Sequence, residues 1–184
     1  PGTFVEPEKI VEMAIANNLP SISYTYTEPT VFLEYALDVM RLARKNKIKN
    51  VFVSNGFMSQ HSRKAVVKYL DAINIDVKGN SDKFYNEMCS GRLQPVLDTC
   101  KFFKERDVWV EITTLVIPGF NDQQEVFESI AKFVAELGKE VPWHISQFCG
   151  SISWKLKHIP DTPVSTLEKA INIGKKYLKY VYIG

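Results

Sequence analysis

The feature that most constrains this chain is a regular alternation of helical and strand-like segments along its whole length. A helix opens after Glu6-Pro7-Glu8, because proline suits a first helical position, and Ile10, Val11, Ala14 and Ile15 give it an apolar stripe. Leu19-Pro20 stops that helix, and residues 21–26 alternate like a strand. The cycle then repeats five times. Helical periodicity over 30–45, 63–70, 93–106, 123–137 and 164–177 is answered by strand-like runs over 50–54, 72–77, 108–117, 143–148 and 180–183.

Six strands alternating with helices predict βα units and a parallel sheet, since parallel neighbours need a crossover between them. The runs are rich in Val, Ile and Thr, as expected when both faces are covered. Two architectures compete, a barrel or partial barrel and an open doubly wound sheet. No glycine-rich dinucleotide turn follows any strand, which weakens the second. No linker, low-complexity stretch or charge block interrupts the pattern, so residues 1–184 read as a single domain. The pattern starts on a helix and stops at Gly184 as a strand ends. The expectation is a unit cut at both ends, lacking the strand before its first helix.

Composition narrows the function classes. A chain of 184 residues supports one domain with a substantial core. Its formal charge of +2 comes with scattered lysines, not the basic block a polyanion partner would call for. No apolar run approaches membrane-span length and no signal-like core opens the chain, so the expected location is cytoplasmic. Cys89, Cys100 and Cys149 are odd in number and far apart. That argues against a disulfide framework, and no CxxC-like spacing makes them a metal site.

Polar residues gather at the carboxyl ends of the strands, where parallel α/β folds place their sites. They run Tyr24-Thr25-Tyr26-Thr27-Glu28-Pro29-Thr30, then Ser54-Asn55-Gly56, Asp76-Val77-Lys78-Gly79, and Ile117-Pro118-Gly119-Phe120-Asn121-Asp122, with His144 and Ser146 on the next strand. Each has a plain structural reading. Glu28-Pro29-Thr30 suits a helix start, Asn55-Gly56 and Gly119 with Asn121-Asp122 suit turns, Asp122 also suits a cap, Asp76 and Lys78 suit an ion pair, and His144 suits a core histidine. Five such signals at successive strand ends point to a shared site. Asp76 and Lys78, on one strand face, suit a zwitterion or a ribose beside a carboxylate. Glu28 could accept from an ammonium, Asn55 could bond a hydroxyl, and His144 could bond or stack on a heterocycle. No nucleophile with its base is evident, so the rim reads as a surface for an amino acid joined to a nucleoside.

With those motifs on the page, the chain resembles the radical S-adenosylmethionine (SAM) enzymes, in particular pyruvate formate-lyase activating enzyme and the AmmeMemoRadiSam-type proteins. The stretches that carry the resemblance are SISYTYTEPTVF, VFVSNGFMS, AINIDVKG, ITTLVIPGFND and VPWHISQF. It implies a partial parallel (β/α)6 barrel of TIM type, missing its first strand and cluster loop. It implies that Tyr26, Thr27, Glu28 and Pro29 hold the place of a Gly-Gly-Glu-Pro motif contacting the amino group of SAM. Ser54 and Asn55 match a segment at the ribose, Asp76 and Lys78 a strand contacting sugar and carboxylate, Ile117 an apolar strand end beside the adenine, and His144 a last-strand position reaching the same pocket. Tyr26 and Thr27 depart from the two glycines, Val53 from an aspartate, and Cys149-Gly150 from the usual residues after the fifth strand.

The resemblance further implies a [4Fe–4S] cluster held by a CxxxCxxC loop. No such motif is present in this sequence, and its ligands are expected upstream. It implies a 5′-deoxyadenosyl radical that abstracts hydrogen from a substrate, either a partner protein of the glycyl-radical kind or a small molecule, with ferredoxin or flavodoxin as electron donor. The chain alone is expected to be inactive. Two other readings stay open: a barrel aldolase or isomerase using Lys78 as a Schiff-base lysine, and a non-catalytic barrel that binds a nucleoside or a partner.

Overall fold

The structure, a computed structural model, describes residues 3–184. Six strands form one sheet: β1 (Ser21–Tyr24), β2 (Lys49–Ser54), β3 (Ala72–Asp76), β4 (Trp109–Val116), β5 (Trp143–Gln147) and β6 (Val181–Ile183). Every pairing is parallel and the spatial order is the chain order, β1 to β6. A doubly wound sheet reverses direction at a switch point. Unbroken sequential order excludes that alternative and leaves the partial barrel.

Seven helices surround the sheet among the described residues: α1 (Pro7–Ala16), α2 (Leu33–Lys45), α3 (Gln60–Val66), α4 (Asp82–Cys89), α5 (Leu93–Lys104), α6 (Gln124–Leu137) and α7 (Val164–Gly174). α4 has no counterpart in the sequence expectations. The strand faces alternate. Ile73 and Ile75 of β3, and Val110, Ile112 and Val116 of β4, are buried against the helical layer, with Val96, Phe103, Phe127 and Ile130 among the helix residues of the same core. The opposite face carries Asn74 and Asp76, then Glu111 and Thr113, then His144, all half-buried. Coverage on both faces, expected from the strand composition, is thus replaced by an apolar outer face and a polar inner face.

Two buried polar side chains on the outer side, Asn50 and Thr114, are paired, as burial demands. Asn50, fully buried, accepts from the Tyr24 hydroxyl at 2.9 Å and donates to the carbonyls of Met40 and Tyr69. Trp143 Nε1 donates to Thr114 Oγ1 at 2.9 Å, and that hydroxyl donates to the Val77 carbonyl at 2.8 Å. These links tie the first residue of β5 to β4, and β4 to the residue just past the end of β3.

Candidate functional site

The first strand is shorter than its sequence suggests, because Tyr26 (φ 49°) and Thr27 (φ 67°) adopt left-handed backbone. That conformation is uncommon for residues with a Cβ and strained for a β-branched one. The two residues standing in place of glycines therefore keep a glycine-like path. Tyr26 turns its ring to solvent, 92% exposed, while Pro29 is buried and opens a short 3-10 turn, Pro29–Phe32.

The path ends on Glu28, whose carboxylate buckles two strand ends together. Oε1 accepts from Ser54 Oγ at 2.7 Å and from Thr30 Oγ1 at 3.2 Å, and Oε2 accepts from the Asn55 backbone N–H at 2.7 Å. The Thr30 amide also donates to Oε1, at 3.4 Å, so the helix-start reading of Glu28 holds. Ser54 Oγ accepts in turn from the Gly56 amide, and Asn55 Oδ1 from the Phe57 amide. Gly56 has φ +72°, and a Cβ there would lie 2.6 Å from Ile75 Cγ2. Only glycine fits that turn.

On β3 and just beyond it, Asp76 Oδ2 accepts from Lys78 Nζ at 2.7 Å, with both side chains a third exposed. The ammonium keeps two further donors, and its engagement by a carboxylate does not favour the Schiff-base reading. The Lys78 amide donates to the buried Tyr85 hydroxyl of α4 at 3.1 Å, and burial pushes that phenol well above its ordinary range. Asn121, 1% exposed, clamps the neighbouring end. Its Oδ1 accepts from the Ile117 amide at 2.6 Å, and its Nδ2 donates to the carbonyls of Lys78 at 2.7 Å and Leu115 at 2.8 Å. Asn121 was expected to be turn chemistry and Asp122 a cap. Asn121 is instead the lock between β3 and β4, while α6 begins after Gln123 with no side-chain cap.

His144 shares the inner face. Register runs from Asp76 to Thr113, Thr113 to His144 and His144 to Tyr182. His144 Nε2 lies 2.8 Å from Glu111 Oε2, and its ring stacks on Tyr182 with centroids 5.5 Å apart. The other Glu111 oxygen accepts from Trp109 Nε1 at 2.9 Å. Glu28, Ser54 and Asn55 thus form one bonded group, while Asp76, Lys78 and Ile117 are joined through Asn121. His144 stands apart from both, tied to a carboxylate that sequence reasoning missed, since only strand register reveals the pair.

A cavity of about 360 Å³ adjoins Asn55 and Lys78, walled by Phe57, Tyr85, Met88 and Cys89. Burial pushes the Cys89 thiol up, and the charge of Lys78 partly offsets this. The three free cysteines sit on α4, inside α5 and after β5. Among the described residues no cluster of three or more metal-ligating side chains exists. They do not fit a [4Fe–4S] cluster, and no ligation is assigned to them. No described helix is long and apolar enough to cross a membrane.

Sequentially ordered parallel strands with a polar inner face, and bonded polar groups at their carboxyl ends, define a (β/α) partial barrel with a rim site. Comparisons with known proteins agree. The model of the radical SAM superfamily matches residues 1–133, and the chain belongs to that superfamily. It is 48% identical over 180 residues to uncharacterized protein MJ0808 of Methanocaldococcus jannaschii, covering 97% of this chain and 53% of that protein. It is 27% identical to an isethionate sulfite-lyase activating enzyme of Oleidesulfovibrio alaskensis, over 64% of this chain and 40% of the relative. The fold matches the crystal structure of a domain of pyruvate-formate lyase-activating enzyme from Bacteroides vulgatus, with a TM-score of 0.77 and 16% identity over 89% of this chain and 98% of that one. The chain spans about half the length of the first relative and less of the second.

Proposed function

We propose that the carboxyl rim binds SAM and that the chain is the SAM-binding part of a hydrogen-abstracting enzyme of the activating-enzyme kind. The observation that carries this reading is the Asp76–Lys78 pair at 2.7 Å on the inner face, with the Glu28 group at the next strand ends. SAM is an amino-acid zwitterion joined to a nucleoside, and this donor set matches its two halves. Asp76 would accept from the ribose hydroxyls and Lys78 would pair with the carboxylate. Glu28 Oε2, with a single protein donor, would accept from the ammonium. Asn55 would bond at the sugar, Ile117 would flank the adenine, and His144 would complete the pocket with its orientation held by Glu111.

The left-handed Tyr26-Thr27 segment would let backbone approach the ligand closely. SAM, when bound, supplies the radical chemistry of the family. The residues named here would bind and orient it. The substrate we favour is a polypeptide that receives a glycyl radical, because curated relatives carry activating-enzyme names.

Isothermal calorimetry with S-adenosylhomocysteine tests the reading. Wild type should bind, and Asp76→Ala and Lys78→Ala should each weaken binding at least tenfold. Absence of binding, or equal binding by all three proteins, would refute it.

A further inference from the structure

The segment after β5 does not run directly into α7. It forms a closed loop over residues 149–162 at the same carboxyl rim, and its neck is pinned on several sides. The Gly150 amide donates to Asp161 Oδ1 at 2.7 Å. Phe148 and Thr162 exchange bonds at 3.0 Å, the Phe148 amide to Thr162 Oγ1 and the Thr162 amide to the Phe148 carbonyl. Gln147 Nε2 donates to the Thr162 carbonyl at 2.7 Å, and Thr162 Oγ1 reaches across to the Val116 carbonyl of β4. A Cβ on Gly150 would collide with the Ile159 carbonyl oxygen, so the two limbs touch as backbones there. This is the build of a compact Ω-loop, which holds its shape by its own contacts.

What the loop displays is not what a solvated connector needs. Ile152 is 85% exposed and Trp154 88% exposed. Beside them stand Lys155, Lys157 and His158, all exposed, and no Asp or Glu occurs between residues 149 and 160. The single carboxylate of the segment, Asp161, is bonded into the neck. Tryptophan is the residue type most enriched among energetic anchors of interfaces, and an exposed apolar pair rimmed by like charge marks a recognition surface. The loop stands at the end of β5, and its neck is tied to Val116 at the end of β4, one residue before Ile117.

We infer that the 149–162 loop is a docking element for an acidic polypeptide, gripped by Trp154 and Ile152 and steered by Lys155 and Lys157. Charge complementarity selects the partner: two exposed lysines in a stretch without Asp or Glu from residue 149 to 160 attract a carboxylate-rich chain. The short basic cluster lacks the long stripe along which a nucleic-acid backbone would be tracked. The docking itself does not depend on SAM. Only its meaning, delivery of a substrate segment to the mouth, rests on the reading of the preceding section.

The test uses the chain without SAM and a random copolymer of glutamate and tyrosine as the acidic probe, titrated by fluorescence anisotropy at near-physiological salt. Wild type should bind the copolymer. Trp154→Ala and the pair Lys155→Glu with Lys157→Glu should each weaken binding at least tenfold, with unchanged thermal unfolding. The charge-matched pair Lys64→Glu with Lys68→Glu, exposed on the outer layer, should change it less than twofold. Undetectable binding would overturn the inference, as would equal losses in both charge-reversed pairs. A single-stranded oligonucleotide that binds more tightly than the copolymer, through the same loop residues, would also overturn it by making the occupant a nucleic acid. Failure of S-adenosylhomocysteine to bind would leave the copolymer result standing, so the two claims fail separately.

Discussion

Replacing Asn121 by alanine removes the lock between the carboxyl ends of β3 and β4. Three hydrogen bonds are lost at once, to the Ile117 amide and to the carbonyls of Lys78 and Leu115. At about 1 kcal/mol net for each bond the loss is roughly 3 kcal/mol. The side chain is 1% exposed, so water recovers little unless the strand ends part. Urea unfolding followed by circular dichroism reads this directly. With a slope of about 2 kcal/mol per molar for a domain of this size, the midpoint should fall by about 1.5 M. Asn121→Asp sharpens the test. It keeps the acceptor for Ile117 but turns both donors into an oxygen facing two carbonyl oxygens, so at neutral pH it should be no more stable than the alanine variant. A loss below about 1 kcal/mol in Asn121→Ala, or an aspartate variant close to wild type, would refute the lock.

Four further outcomes follow from the same geometry. Gly56→Ala forces a Cβ to 2.6 Å from Ile75 Cγ2 at a φ of +72°, and should destabilise by about 1–3 kcal/mol in thermal melts. Glu28→Ala releases Ser54 Oγ and the Asn55 amide, and should speed hydrogen exchange at Asn55 and Gly56 while amides of α6 stay unchanged. Among the thiols, Cys89 and Cys149 should react with a disulfide reagent in the native state and Cys100 only on unfolding, because burial pushes Cys100 up to about 12. The pH dependence has a definite sign. A thiol raised from 9.0 to about 12 in the folded state favours the native chain fully below pH 9. Between those values the unfolded chain binds fewer protons, so stability falls as pH rises, on the order of 1 kcal/mol per pH unit. Burial also raises the Tyr24 and Tyr85 phenols, which steepens the decline above pH 10; a flat unfolding midpoint from pH 9 to 11 would contradict this.

The alternation of elements was legible because each strand is a short β-branched run and each long helix carries an apolar stripe. Periodicity alone could not choose between barrel and doubly wound sheet, since the choice lies in strand order, a non-local property; the resemblance of the strand-end motifs pointed to the partial barrel, and the strand order bears it out. α4 escaped because it is only eight residues long and half of them are polar; the Ser81 side chain that caps it at Phe84 and Asp82 in its first turn were its local signals. Tyr26 read as the end of the strand because nothing in its side chain asks for left-handed backbone. The Asp76–Lys78 ion pair was legible, since period-two spacing puts both residues on one strand face. The Glu111–His144 pair and the three-bond role of Asn121 were not. Each depends on which strands are neighbours and in what register, and Asn121 looks locally like any polar turn residue.

The most direct test of the rim as a SAM site is amide chemical-shift mapping of the isotope-labelled chain titrated with S-adenosylhomocysteine. The account predicts that the largest shifts fall at Thr25–Glu28, Asn55, Asp76–Lys78 and Ile117, with the outer helices α3 and α6 silent. Shifts confined to other surfaces, or none at saturating ligand, would contradict it.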